Sequence, residues 1–417
     1  MSKPTLLTNI SQLLTLRGAA PRRGRALGEL GIIGEGAVLI RGGRIAAVGS
    51  RRSIEPAREA RRARKIDCGG GVVLPGFVDS HTHLVFAASR AAEHERRIAG
   101  ATYEEIARAG GGIQNSVRKL RAEREENLLA QARWWLAQFA AHGTTTVEAK
   151  SGYGLNATSE LKILSILKEL RKKQPLEIIS TFMGAHVVPP EYKKRPDAYV
   201  ELLTKEIIPR VAAEGLAEFC DVFCDRGAFT VEQARRVLIA GRACGLVPRM
   251  HANQLADIGA AELAVELHAA SADHLEKVNE RQIRALAKSD VTCTLLPGCC
   301  FHLGLPHYAP ARKLIDAGAV VALATDFNPG TSPTVNMPMV LSLACAQMRM
   351  TPAEAITAAT INAAYSLRRA ERIGSIETGK YADLAVFGVR DYREIPYYFG
   401  VNLCRMTLKR GAVLSGA

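Results

Sequence analysis

Short apolar runs recur through the middle of the chain, each followed by a polar or glycine-rich loop and usually by a helical pattern. The runs lie at residues 74–78, 144–148, 177–182, 219–223, 247–250, 269–273, 291–295 and 320–324. Helical patterns between them include residues 127–141, 159–172, 231–244 and 279–288. Eight repeats of a strand followed by a helix predict a (β/α)8 TIM barrel, an α/β fold whose strands are all parallel.

The two ends of the chain show a different pattern, with short strands and turns. Residues 36–49 form two apolar runs around Gly42-Gly43, which is a hairpin signal, and residues 406–414 indicate another. Residues 383–387 add a further apolar run. We therefore expect a small β-sandwich built from residues 1–73 and 371–417 around a catalytic barrel at residues 74–370. Helical patterns such as residues 352–370 lead from the last strand back to the sandwich.

Charge and composition exclude several function classes. The net charge is +14, and residues 1–75 hold 14 basic against 5 acidic residues. No RNA-recognition, zinc-finger or helix-turn-helix signature accompanies this charge, so we predict no nucleic-acid partner; salt-sensitive binding at low ionic strength would contradict that. No run of 18 apolar residues predicts a membrane span. Nine cysteines and a first segment without a signal-peptide pattern indicate the cytoplasm.

Histidines are concentrated at the predicted strand ends. Five of the ten histidines stand there, and an aspartate follows the eighth strand. These six residues are His81 and His83 after the first strand, His186 after the third, His251 after the fifth, His274 after the sixth and Asp326 after the eighth. Because the carboxyl ends of barrel strands meet at one face, we expect their side chains to converge.

The His81-Thr-His83 pair is the sharpest metal signal. Residues i and i+2 of an extended segment point to the same side, so both imidazoles face one point. Together with His251 and Asp326 they form a set suited to one Zn²⁺ or Fe²⁺ ion per subunit. No lysine ends the fourth strand to bridge two metals. Cys220 and Cys224 in that strand favour packing over metal binding.

Residues 74–83, LPGFVDSHTH, resemble the amidohydrolase superfamily. Its members hydrolyse C–N and related bonds with a metal in the barrel and carry a small β-sandwich made from both termini. Later segments are similar to the imidazolonepropionase family within it, over almost the whole chain. These segments are residues 102–113, 148–154 (EAKSGYG), 182–189, 251–254 (HANQ), 272–275 and 325–331 (TDFNPGT).

The resemblance implies a substrate, a reaction and a homodimer. The reaction would be hydrolytic opening of 4-imidazolone-5-propanoate to N-formimidoyl-L-glutamate, in histidine degradation. The implied substrate contacts are Arg90, Tyr153, His186, Asn328, Gly330 and Thr331. Gln254 is placed with them because its amide can donate and accept hydrogen bonds but cannot carry a proton.

The residue chemistry is compatible with that reaction. Asp326 can bind the metal and take a proton from the attacking water, and His274 can stabilise the oxyanion that develops on the carbonyl. The Arg90 guanidinium matches the propionate. Backbone N–H groups freed by Gly330 are a second carboxylate-binding candidate.

Several alternatives remain open at this stage. A deaminase of the same fold is one, although it depends on a glutamate where this chain has Gln254. A binding protein on an inactive scaffold is another, and the intact metal set argues against it. Gly110–Gly112 could be the hinge of a lid or an ordinary loop. Lys150 could pair with a carboxylate or orient a ligand.

Overall fold

The computed structural model describes residues 3–101, 105 and 109–416. Of the segment at residues 102–113, positions 102–104 and 106–108 lie outside the described residues. In chain order the strands are β1 (Thr5–Leu14), β2 (Ile32–Arg41), β3 (Arg44–Ser50), β4 (Arg64–Pro75), β5 (Phe77–Asp79), β6 (Thr144–Lys150), β7 (Glu177–Ala185), β8 (Phe219–Cys224), β9 (Val247–Ala252), β10 (Ser271–His274), β11 (Thr292–Leu295), β12 (Val320–Leu323), β13 (Leu384–Phe387), β14 (Cys404–Lys409) and β15 (Ala412–Gly416).

The helices lie mainly between the barrel strands. The α-helices span Arg51–Ile54, Arg58–Arg62, Ala91–Ile98, Ile113–Ala122, Glu125–Ala141, Ala157–Lys173, Pro196–Leu202, Ile208–Ala213, Val231–Ala243, Ala260–Glu266, Glu280–Ala287, Pro297–Leu303, Ala311–Asp316, Met337–Met348, Pro352–Ala358, Ile361–Ser366 and Glu394–Tyr397. Two 3₁₀ turns (Gly24–Gly28, Pro190–Tyr192) and a π-helical turn (Leu203–Ile207) complete the described elements. Among the described helices, none combines the length and apolar character needed to span a membrane.

Strands β5 to β12 form the predicted barrel. Each pairs in parallel with its sequence neighbour, in the order β12-β11-β10-β9-β8-β7-β6-β5. The seam between β5 and β12 closes just beyond the strand ends, where the Asp326 N–H donates to His81 O at 3.0 Å and the His83 N–H donates to Phe327 O at 2.8 Å. Closure of the barrel therefore brings the segment after its first strand beside the segment after its eighth.

Both termini contribute to one seven-stranded sheet, ordered β15-β14-β13-β4-β1-β2-β3. The predicted hairpin is confirmed: β2 and β3 pair antiparallel around Gly42 and Gly43. Val38 of β2 and Leu384 of β13 share one buried core, although their strands are separated in the sheet order. The turn between β14 and β15 also approaches β2, since a Cβ on Gly411 would lie 2.8 Å from Ile40 Cγ2, so the sheet curls around this core as expected for the β-sandwich.

Two predicted elements are divided in the structure. Residues 74–78 were expected to form one strand, but Leu74 and Pro75 end β4 of the terminal sheet and the barrel begins at Phe77. Gly76 allows this crossing, because a Cβ there would lie 2.2 Å from Thr145 Cγ2. Residues 352–370 form two helices, because Thr360 leaves the helical region with φ −126° and ψ −94°. In the second helix the Asn362 amide donates to Arg22 O and Val321 O at 2.9 Å.

Candidate active site

The six strand-end residues meet at the carboxyl face of the barrel. The ring centroids of His81 and His251 lie 4.5 Å apart. The ring centroid of His83 lies 5.5 Å from that of His81 and 5.7 Å from that of His251. Asp326 Oδ1 is 3.5 Å from His81 Nε2 and 3.8 Å from His83 Nε2. The ring centroid of His274 lies 5.3 Å from that of His251. The structure thus brings together the four residues predicted as metal ligands, with His274 beside them.

Two buried carboxylates orient the histidines. Asp273 Oδ2 lies 2.7 Å from His81 Nδ1, and Asp221 Oδ1 lies 3.1 Å from His251 Nδ1. The Nε2 atoms of both rings are buried, and neither has a hydrogen-bond partner within the described part of the chain. A carboxylate behind a histidine, with the far nitrogen free, is the usual arrangement around a metal ligand. These orphaned nitrogens and the Asp326 oxygen fit Zn²⁺ or Fe²⁺.

Burial sets the protonation of the ligands. It lowers the pKa of His81 and of His83 well below the ordinary value, with further lowering from Lys150 on His81 and from His186 on His83. Neutral imidazole is the form that binds a metal. Burial raises the pKa of Asp326 to about 7, although His274 and Asn328 act in the opposite direction. A cation held at this carboxylate would also favour its ionised form.

His274 has a different electrostatic environment. Burial acts to lower the pKa of His274. The Glu276 carboxylate, whose Oε1 lies 3.5 Å from His274 Nδ1, acts in the opposite direction together with Asp326, and the pKa of His274 is raised. The protonated ring can stabilise negative charge that develops on a substrate oxygen.

Sequence reasoning missed Glu276 because its position depends on unusual backbone geometry. Its side chain is 5% exposed. His274 and Leu275 both have positive φ angles, 81° and 70°, which turn the chain so that Glu276 faces the His274 ring. Asn253 and Asp326 also have positive φ, at 53° and 54°. Strained non-glycine residues of this kind concentrate at functional sites.

Lys150, whose role the sequence left open, pairs with carboxylates inside the barrel. Its Nζ lies 2.9 Å from Glu148 Oε1 and 2.8 Å from Asp221 Oδ2. Burial acts to lower the pKa of Lys150, but Asp221 and Glu148 raise it above the ordinary value. Arg249 completes this buried group and donates to Ser80 O at 2.9 Å. Alternation along β6 and β9 could have indicated the inward side chains, since Glu148 shares a face with Lys150 and Arg249 with His251.

Two substrate-contact candidates line one side of the histidine cluster. The His186 ring stacks on His83, with centroids 5.1 Å apart and planes at 17°, and its Nδ1 lies 3.0 Å from Gly152 O. Burial lowers the pKa of His186 to about 3. The Tyr153 ring centroid lies 5.8 Å from that of His83, and burial raises the pKa of this phenol. Both rings therefore present neutral groups beside the metal ligands.

The loop carrying Tyr153 is fixed by a buried glutamate that the sequence did not single out. Glu160 accepts backbone N–H groups from Gly152 at 3.0 Å, Gly154 at 2.8 Å and Leu155 at 2.8 Å. Gly152 has φ of +111°, and a Cβ there would lie 2.9 Å from Met183 O. The conformation of this loop therefore depends on the Glu160 carboxylate, which accepts its N–H groups, and on Gly152, where a side chain would not fit.

Gln254 lies at the edge of the site. Its N–H donates to Asp225 Oδ2 at 2.8 Å, and its Nε2 lies 3.6 Å from Cys299 Sγ. Asp225 also accepts the N–H groups of Leu255 and Ala256, so it fixes the loop after β9. The amide of Gln254 is partly exposed and can both donate to and accept from a ligand.

The backbone N–H groups at Gly330, one candidate for binding a carboxylate, donate within their own turn in this structure. The N–H groups of Gly330 and Thr331 both donate to Asn328 Oδ1 at 2.8 Å. Asn328 Nδ2 in turn donates to Asp326 O at 2.6 Å and to Thr331 Oγ1 at 2.9 Å. The asparagine side chain satisfies this turn locally, as is common for Asn in loops.

Gly330 instead makes room for Arg90. A Cβ on Gly330 would lie 2.3 Å from Arg90 Nη1. On its other side, Arg90 Nε donates to Glu93 Oε2 at 2.7 Å. The guanidinium is therefore held between a carboxylate and a bare stretch of backbone, and its side chain is 18% exposed.

We expect Gly330→Ala to raise KM for a carboxylate-bearing substrate about tenfold, equivalent to about 1.4 kcal/mol, because the added methyl displaces Arg90. Gly34→Ala is the matched control, since no atom lies within 4 Å of a Cβ at that exposed position. Steady-state kinetics on both variants checks this. An unchanged KM in Gly330→Ala would show that the position of Arg90 does not matter for substrate binding.

Comparison with known proteins identifies the family of the chain. Residues 72–404 match the amidohydrolase family. The chain is 51% identical to the imidazolonepropionase of Geobacillus kaustophilus (strain HTA426), over 99% of this chain and 98% of the relative. It is 47% identical to the imidazolonepropionase of Porphyromonas gingivalis (strain ATCC BAA-308 / W83), over 98% of this chain and 96% of the relative.

Solved structures of similar fold are more distant in sequence. A zinc-bound adenosine deaminase from Xanthomonas campestris has a TM-score of 0.72 at 17% identity, covering 99% of this chain and 93% of that one. The guanine deaminase of E. coli has a TM-score of 0.74 at 15% identity, with all of both chains covered. These neighbours support the fold, and the full-length relatives supply the closer assignment. The chain is a hydrolase of the amidohydrolase family and belongs, within that family, to the imidazolonepropionases.

Proposed function

We propose that this protein hydrolyses 4-imidazolone-5-propanoate to N-formimidoyl-L-glutamate. The water oxygen adds to the ring carbonyl carbon, the bond from that carbon to the ring nitrogen breaks, and the nitrogen takes a proton. The observation that carries the proposal is a guanidinium, Arg90, beside a buried histidine and aspartate cluster in a chain 51% identical to a named imidazolonepropionase.

One Zn²⁺ or Fe²⁺ ion per subunit would be held by His81, His83, His251 and Asp326. Such an ion supplies Lewis acidity, which lowers the pKa of a bound water towards neutrality. Fit of the group is supported by the orphaned Nε2 atoms of His81 and His251 and by the carboxylates behind them.

Two side chains of the protein would act in ring opening, one as a proton acceptor and one as a hydrogen-bond donor. Asp326 would accept a proton from the attacking water, since its carboxylate lies among the histidines where water must approach. His274, held by Glu276, would donate a hydrogen bond to the carbonyl oxygen as negative charge develops there. The proton that Asp326 accepts is available for the departing ring nitrogen.

The remaining residues would bind and orient the substrate. Arg90 would pair with the propionate, because a guanidinium matches a carboxylate in shape and charge. Tyr153 and His186 would line one side of the ring, and the Gln254 amide would contact its polar edge. Asn328, Gly330 and Thr331 would contact substrate or product through the turn beside Arg90.

The test is turnover of freshly made 4-imidazolone-5-propanoate by metal-loaded protein, with the product identified by mass. We expect loss of the ring absorbance and formation of N-formimidoylglutamate. Guanine and cytosine serve as comparison substrates, scored by ammonia release. Ammonia from either base, without turnover of the imidazolone, would replace the proposal with a deaminase.

We also propose three domain segments: residues 1–73 and 371–417 form the β-sandwich and residues 74–370 the catalytic domain. Support comes from the strand order, in which β1 to β4 and β13 to β15 share one sheet while β5 to β12 form the other. The cytoplasm is the proposed location, supported by nine free cysteines.

A homodimer is the proposed assembly, supported by a patch of exposed aromatic residues. Tyr397 is 74% exposed, Phe399 73% and Phe301 56%, and they line a groove of about 660 Å³. Exposed apolar patches of this kind mark association surfaces.

We expect light scattering to give twice the 45.0 kDa chain mass. The double variant Tyr397→Asp with Phe399→Asp should give the mass of the monomer. Ile239→Asp, at a residue 43% exposed on the helix Val231–Ala243 that follows β8, is the control. A dimeric double variant would rule out this patch.

A further inference from the structure

A cluster of charged side chains is buried behind the metal-ligand histidines, and the proposed reaction does not use it directly. Glu148, Asp221, Asp273 and Lys150 all have side chains with 0% exposure. Lys150 Nζ lies 2.9 Å from Glu148 Oε1, 2.8 Å from Asp221 Oδ2 and 3.9 Å from Asp273 Oδ2. The ammonium thus contacts two carboxylates and stands close to a third.

The same carboxylates could otherwise form a second metal site. Asp221, His251 and Asp273 offer ligand atoms that all lie within 4.8 Å of one another, so a second ion here would share the His251 ring with the first. Two carboxylates and an imidazole are donors that divalent cations accept. Asp273 Oδ1 is also buried, with no hydrogen-bond partner in the described part of the chain.

We propose that the Lys150 ammonium takes the place of a second cation and so restricts this centre to one metal ion. The inference rests on the proposed metal dependence of the protein and deepens it. Lys150 is a positioning residue, because it acts on Asp221, which holds His251, and stands beside Asp273, which holds His81.

Charge compensation explains why a cation is needed at this position. Arg249 is the other buried cation nearby, and its Nη2 lies 3.5 Å from Asp273 Oδ2 and donates to Ser80 O. Arg249 therefore pairs with Asp273, while the cation in contact with Glu148 and Asp221 is Lys150. Removing one partner of a buried ion pair leaves the other charge uncompensated. Binding a cation from solution would restore the charge balance.

The test is the number of metal ions bound after equilibration with Mn²⁺ or Zn²⁺ and removal of loosely bound ions. We expect one ion per subunit in the unmodified protein and two in Lys150→Met, which keeps an unbranched side chain one atom shorter and removes its charge. Lys150→Arg should keep one ion. Lys409→Met is the matched control, because Lys409 is a buried lysine 2.7 Å from Asp383 and 3.4 Å from Glu177.

Electron paramagnetic resonance of the Mn²⁺-loaded proteins gives a second readout. A coupled pair of ions should appear in Lys150→Met and not in the unmodified protein. The measurement on the unmodified protein stands even if Lys150→Met does not fold, and a coupled pair there would overturn the inference. A folded Lys150→Met with one ion would overturn it as well. An unmodified protein that binds no ion would instead contradict the proposed metal dependence.

Discussion

Asp326→Asn is expected to lower kcat for 4-imidazolone-5-propanoate by about 10²–10⁴-fold, the range for loss of a positioned general base. Asparagine keeps the shape of the side chain, but its amide cannot accept the proton of the attacking water. The hydrogen bond from the Asp326 N–H to His81 O belongs to the backbone and is retained. The closure of the barrel should therefore survive the change.

Kinetics, metal content and thermal unfolding should be measured together on this variant. Asp316→Asn is the control, at a side chain 66% exposed at the end of the helix Ala311–Asp316. A folded, metal-bound Asp326→Asn with full activity would remove Asp326 from the proton transfer.

Arg90→Gln is expected to raise KM for 4-imidazolone-5-propanoate about 10–100-fold. Hydrogen bonds to a charged group contribute about 1.5–3 kcal/mol, and each 1.4 kcal/mol is about tenfold in affinity. Glutamine keeps a hydrogen-bond donor near Glu93 but loses the charge that would pair with the propionate. Arg90 is not one of the four proposed metal ligands, so metal content should not change.

The matched comparison is the amide of the same substrate, which has no negative charge. The unmodified protein should prefer the acid over the amide, and Arg90→Gln should lose that preference. An equal loss of efficiency on acid and amide would mean that Arg90 supports the fold of its loop and does not recognise the carboxylate.

The barrel and its ligand cluster were predictable because they follow from local periodicity. Alternation of apolar runs and helices predicts eight parallel strands, and the i, i+2 spacing of His81 and His83 puts both rings on one side. Strand ends then place His251 and Asp326 at the same face. The exact end of a strand was harder to predict, because Leu74 and Phe77 belong to different sheets on either side of Gly76.

The side chains that orient the ligands were not predictable in the same way. Asp273 contacts His81 across 192 positions of the chain, and this pairing depends on the closed barrel. Glu276 faces His274 only because two successive residues adopt positive φ. The turn at Asn328 was ambiguous for another reason: its backbone N–H groups can serve either a ligand or the asparagine side chain, and here they serve the side chain.

The most direct test of metal-dependent ring opening is to remove the metal and restore it. After chelation, the protein should remain folded and show no turnover of 4-imidazolone-5-propanoate, and one equivalent of Zn²⁺ or Fe²⁺ per subunit should restore formation of N-formimidoylglutamate. Full turnover by protein shown to be metal-free would contradict the proposed roles of His81, His83, His251 and Asp326.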